Sequence, residues 1–169
     1  MWLGQRLFIE MIWYYKMTSK INTKEMAAKA RDAKAIMACL SESEKNRVLD
    51  GFKKNLLLNK KKILEANQID LLNAEKKELS QAFIDRLKLN AERVQAMVDS
   101  ISEIINLPDP VGQVSSEWER PNGLKIKRVQ TPIGVIAIIY ESRPNVTVDA
   151  SALSFKSGNP CILRCGADS

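Results

Sequence analysis

The sequence predicts an α/β protein in which a helical amino-terminal region precedes a β-hairpin and the start of a Rossmann-like parallel sheet. Apolar residues recur at helical spacing through the first hundred positions. The segment LPDPVG at 107–112 ends that pattern, and a strand-helix-strand pattern follows it. The predicted units are a non-homologous or disordered extension (1–19), the helical region (20–112), the β-hairpin (113–131) and an incomplete first βαβ unit (132–169).

The helices are predicted from apolar stripes and from residues that cap helix starts. Between positions 24 and 40 apolar residues recur at steps of four and three. Ser41 and Glu44 have the spacing of a capping box, and a helix of about five turns is expected after them, through Ile63. A shorter helix is predicted over 67–77. Two further helices are predicted to begin at capping residues, Ser80 and Asn90.

The proline-rich segment is followed by strand patterns. Residues 113–118 and 124–127 flank a Pro-Asn-Gly turn and predict the hairpin. The run 135–140 is almost wholly apolar, which is typical of a parallel strand buried on both faces. A helix from about Val146 to Ser157, stopped by Gly158, then leads to a second short strand, CILR. Ligands of doubly wound sheets bind where parallel strands end, so the candidate site is the loops that follow the two strands.

Charge leaves several partners open. The chain has 26 Lys and Arg against 20 Asp and Glu, a net charge of +6, which suits nucleic acid, an acidic membrane surface or a phosphorylated small molecule. Its one dense basic run, residues 60–62, lies among apolar residues at helical spacing and is interpreted as a solvated face. A basic helical module that binds nucleic acid stays as the alternative function.

Cysteine and histidine usage restricts the chemistry. The three cysteines, Cys39, Cys161 and Cys165, form no disulfide framework and fit reduced thiols. With no histidine, the usual zinc site and a Ser-His or Cys-His nucleophile pair are excluded, and no metal is predicted. The first 17 residues are interrupted by Arg6 and Glu10, so neither a signal peptide nor a membrane span is expected. A cytoplasmic location without a membrane partner follows.

Long motifs resemble one known family. The stretch PIGVIAIIYESRPNVTVDA at 132–150, continued by KSGNPCILR at 156–164, closely resembles the γ-glutamyl phosphate reductase family of the aldehyde dehydrogenase superfamily. SESEKNRVL, LSQAFIDRL and LPDPVGQV are similar to the helical amino-terminal region of that family. The resemblance covers residues 20–169 and implies an aldehyde dehydrogenase-like fold, truncated after the first βαβ unit of the NADP-binding domain.

The resemblance implies an enzyme activity. The family is an NADP-dependent glutamate-5-semialdehyde dehydrogenase that reduces L-glutamyl 5-phosphate to L-glutamate 5-semialdehyde in L-proline biosynthesis. In that family a cysteine thiolate attacks the acyl carbon of the acyl phosphate and displaces phosphate, and the resulting thioester accepts hydride from the nicotinamide. That cysteine lies beyond residue 169 in the family, so this fragment is expected to be inactive alone. A small-molecule substrate and a family-like homo-oligomer are the expected partners, and a non-catalytic remnant that associates with an intact reductase is a further alternative.

The resemblance also suggests cofactor residues, with NADP as the cofactor. Arg164 aligns with the position where a basic side chain reaches the adenosine ribose, and a guanidinium also suits a 2′-phosphate. Two departures leave NADP against NAD preference open: Cys165 replaces a usual glycine, and Ala167 replaces a residue that helps to select the cofactor. The full set of predicted cofactor residues is Ile139, Tyr140, Arg164 and Gly166.

The loop after the first strand supplies the other candidates. Asn145 is the candidate oxyanion donor, or alternatively the cap of the following helix. Counting directly from Ile139 puts Ser142 at the donor position, so Ser142 is kept as a substrate-binding residue. Arg143 is expected to meet the phosphate or carboxylate of the substrate, or else to pair with Glu141. Two residues are expected to stay outside the chemistry, Cys161 in the core and Lys156 facing solvent.

Overall fold

The computed structural model describes residues 22–166, so the predicted extension 1–19 and residue Ala167 lie outside the described part of the chain. The first five helices are α1 (Thr23–Ala38), α2 (Glu42–Leu58), α3 (Lys60–Lys76), α4 (Gln81–Leu87) and α5 (Ala91–Asn106). They are followed by β1 (Val114–Glu119), β2 (Lys125–Val129), β3 (Ile136–Ile139), α6 (Pro144–Lys156) and β4 (Cys161–Arg164). The predicted fold class, a helical region followed by a hairpin and a parallel strand pair, is confirmed.

Two of the predicted helix caps are formed. Ser41 Oγ accepts from the Glu44 main-chain N–H at 3.3 Å while the Glu44 carboxylate accepts from Ser41 N–H at 2.8 Å, which completes the capping box of α2. Asn90 Oδ1 accepts from the Arg93 N–H at 2.7 Å and caps α5. Ser80 occupies the cap position of α4, but its hydroxyl makes no capping hydrogen bond.

The break between α2 and α3 was predicted in the wrong place. The helix was expected to run through Ile63, whereas it is interrupted at Asn59 and restarts at once. The Asn59 side-chain amide donates to the Asn55 carbonyl oxygen at 2.8 Å, and Asn55 donates likewise to Gly51 at 2.9 Å. These side-chain bonds compete with the main-chain ladder, which resumes with Ile63 N–H donating to Asn59 O at 3.0 Å.

The main hydrophobic core lies where α2, α5 and α6 pack together. Leu49 of α2, Ile101 of α5 and Ala152 of α6 are fully buried there. Each helix presents one apolar stripe to the other two, so burial of this stripe is what holds α6 against the helical region. A smaller cluster between α3 and α4 is formed by Leu71, Ala74 and Leu87.

Lys156 does not face solvent, and that prediction was wrong. Only 2% of its surface is exposed. Its ammonium group donates to Asn46 Oδ1 at 2.7 Å, to the Ile105 carbonyl oxygen at 3.0 Å and to Glu42 Oε1 at 3.2 Å. A buried ammonium needs such acceptors, and here they come from α2 and from the end of α5. Lys156 therefore joins α6 to both helices.

A second buried lysine was not anticipated at all. Lys45 on α2 is fully buried, and its ammonium group contacts both carboxylate oxygens of Asp109 at 2.7 and 2.9 Å. Asp109 Oδ1 also accepts from the Val111 N–H at 3.0 Å. The proline-rich segment after α5 is thereby fixed against α2.

The hairpin forms as predicted, with β1 and β2 antiparallel and Trp118 opposite Ile126. The strands β3 and β4 pair in parallel, and Gly158 ends α6 with φ +74° as predicted. The expected burial of β3 on both faces is wrong, because Ile139 is 75% exposed whereas Ile136 and Ile138 are half-buried. The exposed face is one that no element within residues 22–166 covers.

Within the part of the chain that the structure describes, no helix combines the length and apolar character that crossing a membrane requires. Across the same residues, no group of three or more cysteine or acidic side chains is arranged to hold a metal ion.

Candidate functional site

The predicted cofactor residues meet at one edge of the parallel strand pair. In the register of β3 and β4, Ile139 lies opposite Arg164, and the Tyr140 N–H donates to the Arg164 carbonyl oxygen at 3.0 Å. Gly166 lies two residues beyond the end of β4, where a Cβ atom would be 3.7 Å from Glu141 Cγ. Parallel pairing brings both strand ends to the same side, so Ile139 and Tyr140 become neighbours of Arg164 and Gly166, which come much later in the sequence.

The side chains at this edge differ in exposure and in hydrogen bonding. Ile139 and Arg164 are exposed, and the Arg164 guanidinium forms no ion pair within residues 22–166. The Tyr140 hydroxyl is hydrogen-bonded to Thr147 Oγ1 at 2.5 Å, which fixes the end of β3 to the first turns of α6. An exposed cation at the end of a strand is thus held on a rigid main-chain frame.

The loop between β3 and α6 is short and strained. Ser142 adopts a left-handed conformation, φ +46°, and is 2% exposed. Arg143 then stands at the cap position of α6, with Pro144 in the first turn, where a fixed φ near −65° favours helix initiation. The buried, left-handed Ser142 turns the chain so that the following residues reach a neighbouring cleft.

The alternative that Asn145 caps α6 is wrong. The helix begins one residue before Asn145, because Pro144 starts it and the Val146 N–H donates to the Arg143 carbonyl oxygen at 3.0 Å. The Asn145 side-chain amide instead donates to Asp149 Oδ2 at 3.4 Å. The amide lies one turn before that carboxylate, the spacing at which helical side chains meet.

An open cleft of about 620 Å³ lies between α5 and the start of α6. Two of the predicted site residues, Arg143 and Asn145, line it, whereas Ser142 and the four cofactor candidates do not. The predicted residues therefore separate into two groups, one at the strand edge and one in the cleft. The other polar residues that line the cleft are Asp85, Arg86, Lys88, Arg93, Ser100 and Asp149.

Two arginines that line the cleft, Arg93 and Arg143, differ in their hydrogen-bond partners. The Arg93 guanidinium donates to the carbonyl oxygen of Lys88, and to that of Asp85 at 2.7 Å, so it closes the end of α4. Arg143 forms no ion pair with Glu141 or with any other carboxylate in residues 22–166. The proposed pairing of Arg143 with Glu141 is absent from the described residues, and the guanidinium remains available to an anion.

Asp149 is a cleft residue that sequence reasoning missed. Its Oδ1 accepts from the Ser100 hydroxyl at 2.8 Å, and its Oδ2 accepts from Asn145. The Asn145–Asp149 spacing of four was the available signal, since such pairs are neighbours on a helix. The Ser100 contact joins α5 to α6 across 49 positions, and local sequence contains no signal for it.

The cysteines fit the non-catalytic interpretation. Cys161 is half-buried at the start of β4, and burial raises the pKa of its thiol, opposed by hydrogen bonds from Ser154 and Ser151. A raised pKa leaves less thiolate, the reactive form, near neutral pH. Cys165 is also half-buried and Cys39 is exposed.

Comparison with known proteins gives a consistent result, although no protein-family model matches the chain. The γ-glutamyl phosphate reductase of Bartonella quintana is 53% identical over 146 residues, which are 86% of this chain and 35% of the relative. The chain thus spans about a third of the length of the curated relatives it matches. Neither the nucleic-acid-binding alternative nor the non-catalytic remnant is favoured by this result.

Two solved structures share the architecture. The γ-glutamyl phosphate reductase of Thermotoga maritima matches with a TM-score of 0.83 and 43% identity, over 86% of this chain and 35% of that one. The enzyme of the same name from Saccharomyces cerevisiae matches with a TM-score of 0.84 and 34% identity, over 89% of this chain and 38% of that one. The chain is therefore homologous, in sequence and in fold, to the amino-terminal third of the γ-glutamyl phosphate reductases.

Proposed function

We propose that this chain is the amino-terminal part of an NADPH-dependent γ-glutamyl phosphate reductase, which reduces L-glutamyl 5-phosphate to L-glutamate 5-semialdehyde in proline biosynthesis. The proposal depends on one observation, that β3 and β4 end at the same edge of the strand pair. Ile139 and Arg164 are register partners there. The 53% identity with a protein of that name supports the same assignment. A cytoplasmic location, a small-molecule substrate and a family-like homo-oligomer belong to the proposal.

The strand edge fits a dinucleotide phosphate. Arg164 is exposed and forms no ion pair in the described residues, so its guanidinium can donate two parallel hydrogen bonds to the 2′-phosphate of NADP. Ile139 offers an exposed apolar surface beside it, and Gly166, which has no side chain, lies just beyond the end of β4. When bound, NADPH would supply the hydride of the reduction. The role of this chain is to orient the adenosine end of the cofactor.

The cleft fits the substrate. Arg143 is an unpaired cation on its wall and suits either the acyl phosphate or the carboxylate of the substrate. Asn145 lies beside it and can donate its amide N–H to a developing oxyanion. Ser142 is buried and does not line the cleft, so we assign it a positioning role through the left-handed turn that presents Arg143.

The experiment that tests this function is a chimera. The homologous amino-terminal segment of the Bartonella quintana reductase is replaced by the matching residues of this chain, and phosphate-dependent reduction of NADP by L-glutamate 5-semialdehyde is measured. We expect activity within tenfold of the parent enzyme, because a segment with 53% identity and the same fold should restore the site. A chimera that folds and binds NADP but does not turn over would overturn the proposal.

A matched pair of variants in the chimera distinguishes a loss of substrate binding from a general effect of removing a positive charge. Arg143→Gln should raise the KM for the semialdehyde by roughly tenfold, the loss expected for one charge-assisted hydrogen bond. Arg120→Gln removes the same charge from the hairpin, outside both candidate sites, and should leave KM unchanged. Equal effects of the two variants would contradict the assigned role of Arg143.

A further inference from the structure

The cleft contains a carboxylate that has no cationic partner among residues 22–166. Asp149 lines the cleft together with Arg86, Lys88 and Arg143, yet it forms no ion pair with any lysine or arginine in the part of the chain described here. A hydrogen bond from a lysine or arginine to a carboxylate is charge-assisted and strong, and Asp149 forms none of this kind within residues 22–166. The separation of this negative charge from the positive charges of the cleft therefore needs a physical explanation.

Two neutral donors hold Asp149 in place. The Ser100 hydroxyl donates to Oδ1 at 2.8 Å, and the Asn145 amide donates to Oδ2 at 3.4 Å. A carboxylate has about four acceptor positions, so these bonds fix its orientation while leaving capacity for a further donor. Both partners are uncharged, and the negative charge is not neutralised by them.

Asp149 differs from the other acidic residue of the cleft. Asp85 is exposed and accepts from the Gln81 side-chain amide, also on α4, at 3.1 Å. Asp149 is half-buried between α5 and α6. Because water screens a half-buried charge less than an exposed one, Asp149 is the stronger electrostatic site for a cation.

Arg143 supplies the opposite charge at the entrance to α6. It precedes Asp149 by six residues, a spacing that does not bring two helical side chains together. Arg143 and Asp149 thus present opposite charges at separate points of a cleft that the exposed Arg86 and Lys88 also line. A ligand that carries both charges, with an ammonium group and an anionic group apart, is complementary to this arrangement.

We propose that Asp149 is a specificity-determining residue that receives the α-ammonium group of an amino-acid substrate, while Arg143 contacts an anionic group of the same molecule. This inference rests on the proposed function and names the chemistry by which that site would tell an α-amino acid derivative from a plain dicarboxylate. Ser100 and Asn145 position the carboxylate and do not replace it.

The test compares two ligands that differ only in the amino group, L-glutamate and glutarate. Binding of each ligand to the 169-residue chain is titrated by ligand-observed NMR. The highest ligand concentration is on the order of 50 mM, so that dissociation constants in the millimolar range can be measured. We expect L-glutamate to bind about tenfold or more tightly than glutarate, the ratio that one charge-assisted hydrogen bond supplies. Asp149→Asn, which can still accept from Ser100, should abolish that preference without weakening glutarate binding.

Two further variants keep the result interpretable. Asp99→Asn removes the same charge from α5 outside the cleft, and the preference for L-glutamate should persist. Ser100→Ala frees the Asp149 carboxylate without removing its charge, and it should weaken L-glutamate binding while keeping the preference. Helix content from circular dichroism confirms that each variant is folded.

The outcomes separate this inference from the proposed function. If glutarate and L-glutamate bind equally and Asp149→Asn changes neither, the ammonium site is refuted while the anion-binding cleft survives. If Asp149→Asn weakens both ligands equally, the residue only positions Asn145, and the inference is also refuted. If neither ligand binds, both the ammonium site and the assignment of the cleft to the substrate fall.

Discussion

The ammonium group of Lys156 donates a hydrogen bond to the main-chain carbonyl oxygen of Ile105 at 3.0 Å. Ile105 lies in the last turn of α5, where carbonyl oxygens have no partner within the helix. A cation at that end also interacts favourably with the helix dipole. Lys156 therefore caps α5 from α6, and the two helices that form the cleft wall are joined at this point.

We predict that Lys156→Met destabilises the chain by about 2–3 kcal/mol, because it leaves the Ile105 carbonyl and the Asn46 amide oxygen without their charged donor. Urea unfolding followed by circular dichroism measures the change. The control is Lys61→Met, whose side chain is exposed and 3.9 Å from Glu65, and which should change stability by less than about 0.5 kcal/mol. Similar effects for the two would show that the buried contacts contribute nothing.

Gly158 should not tolerate a side chain. Its φ is +74°, and a Cβ atom would lie 3.0 Å from Pro132 Cγ. Gly158→Ala therefore combines backbone strain of about 1–2 kcal/mol with a close contact. Gly112→Ala is the matched control, since φ is +84° there and nothing lies within 4 Å of the added carbon. We expect a larger fall in thermal unfolding midpoint for Gly158→Ala, and equal falls would rule out the contact.

The capping box of α2 should make stability depend on pH. Hydrogen bonds from the Ser41 side chain and main chain hold the pKa of Glu44 below its usual value. A carboxyl group whose pKa is lowered on folding stabilises the native state above its unfolded pKa, and that contribution is lost as pH falls through the folded pKa. The stability difference between the wild type and Glu44→Gln should therefore be larger at pH 7 than at pH 3. A difference that is constant with pH would contradict this.

Cys161 should react slowly with alkylating reagents. Burial raises the pKa of its thiol, and the side chain is half-buried, so both the thiolate fraction and the access are reduced. Cys39 is exposed and serves as the internal comparison. With iodoacetamide at pH 8, peptide mapping by mass spectrometry should show Cys39 modified first. Faster modification of Cys161 would reopen its assignment as a core residue.

Local interactions explain what could be predicted from the sequence. The Ser41–Glu44 box, the Asn90 cap and the Gly158 stop depend on residues within a few positions of each other, and all three form. The apolar run of β3 and the short segment CILR of β4 were likewise sufficient to place two strands around one helix.

Several of the errors have long-range causes. The Lys156 acceptors on α2 and α5 lie 51 to 114 positions away, so its burial has no local signal. Asp149 joined the candidate site through Ser100, 49 positions earlier. The burial of β3 was overestimated. An apolar run indicates that both faces of a strand can be buried, but it does not show that another element covers them, and no element within residues 22–166 covers Ile139.

The most direct measurement of the central claim is the effect of Arg164→Gln on cofactor use by the chimeric reductase. If the joint end of β3 and β4 holds the 2′-phosphate of NADP, the substitution should raise the KM for NADP by about tenfold or more and leave the KM for NAD nearly unchanged. Equal KM values for NADP before and after the substitution, in a folded and active chimera, would contradict the claim.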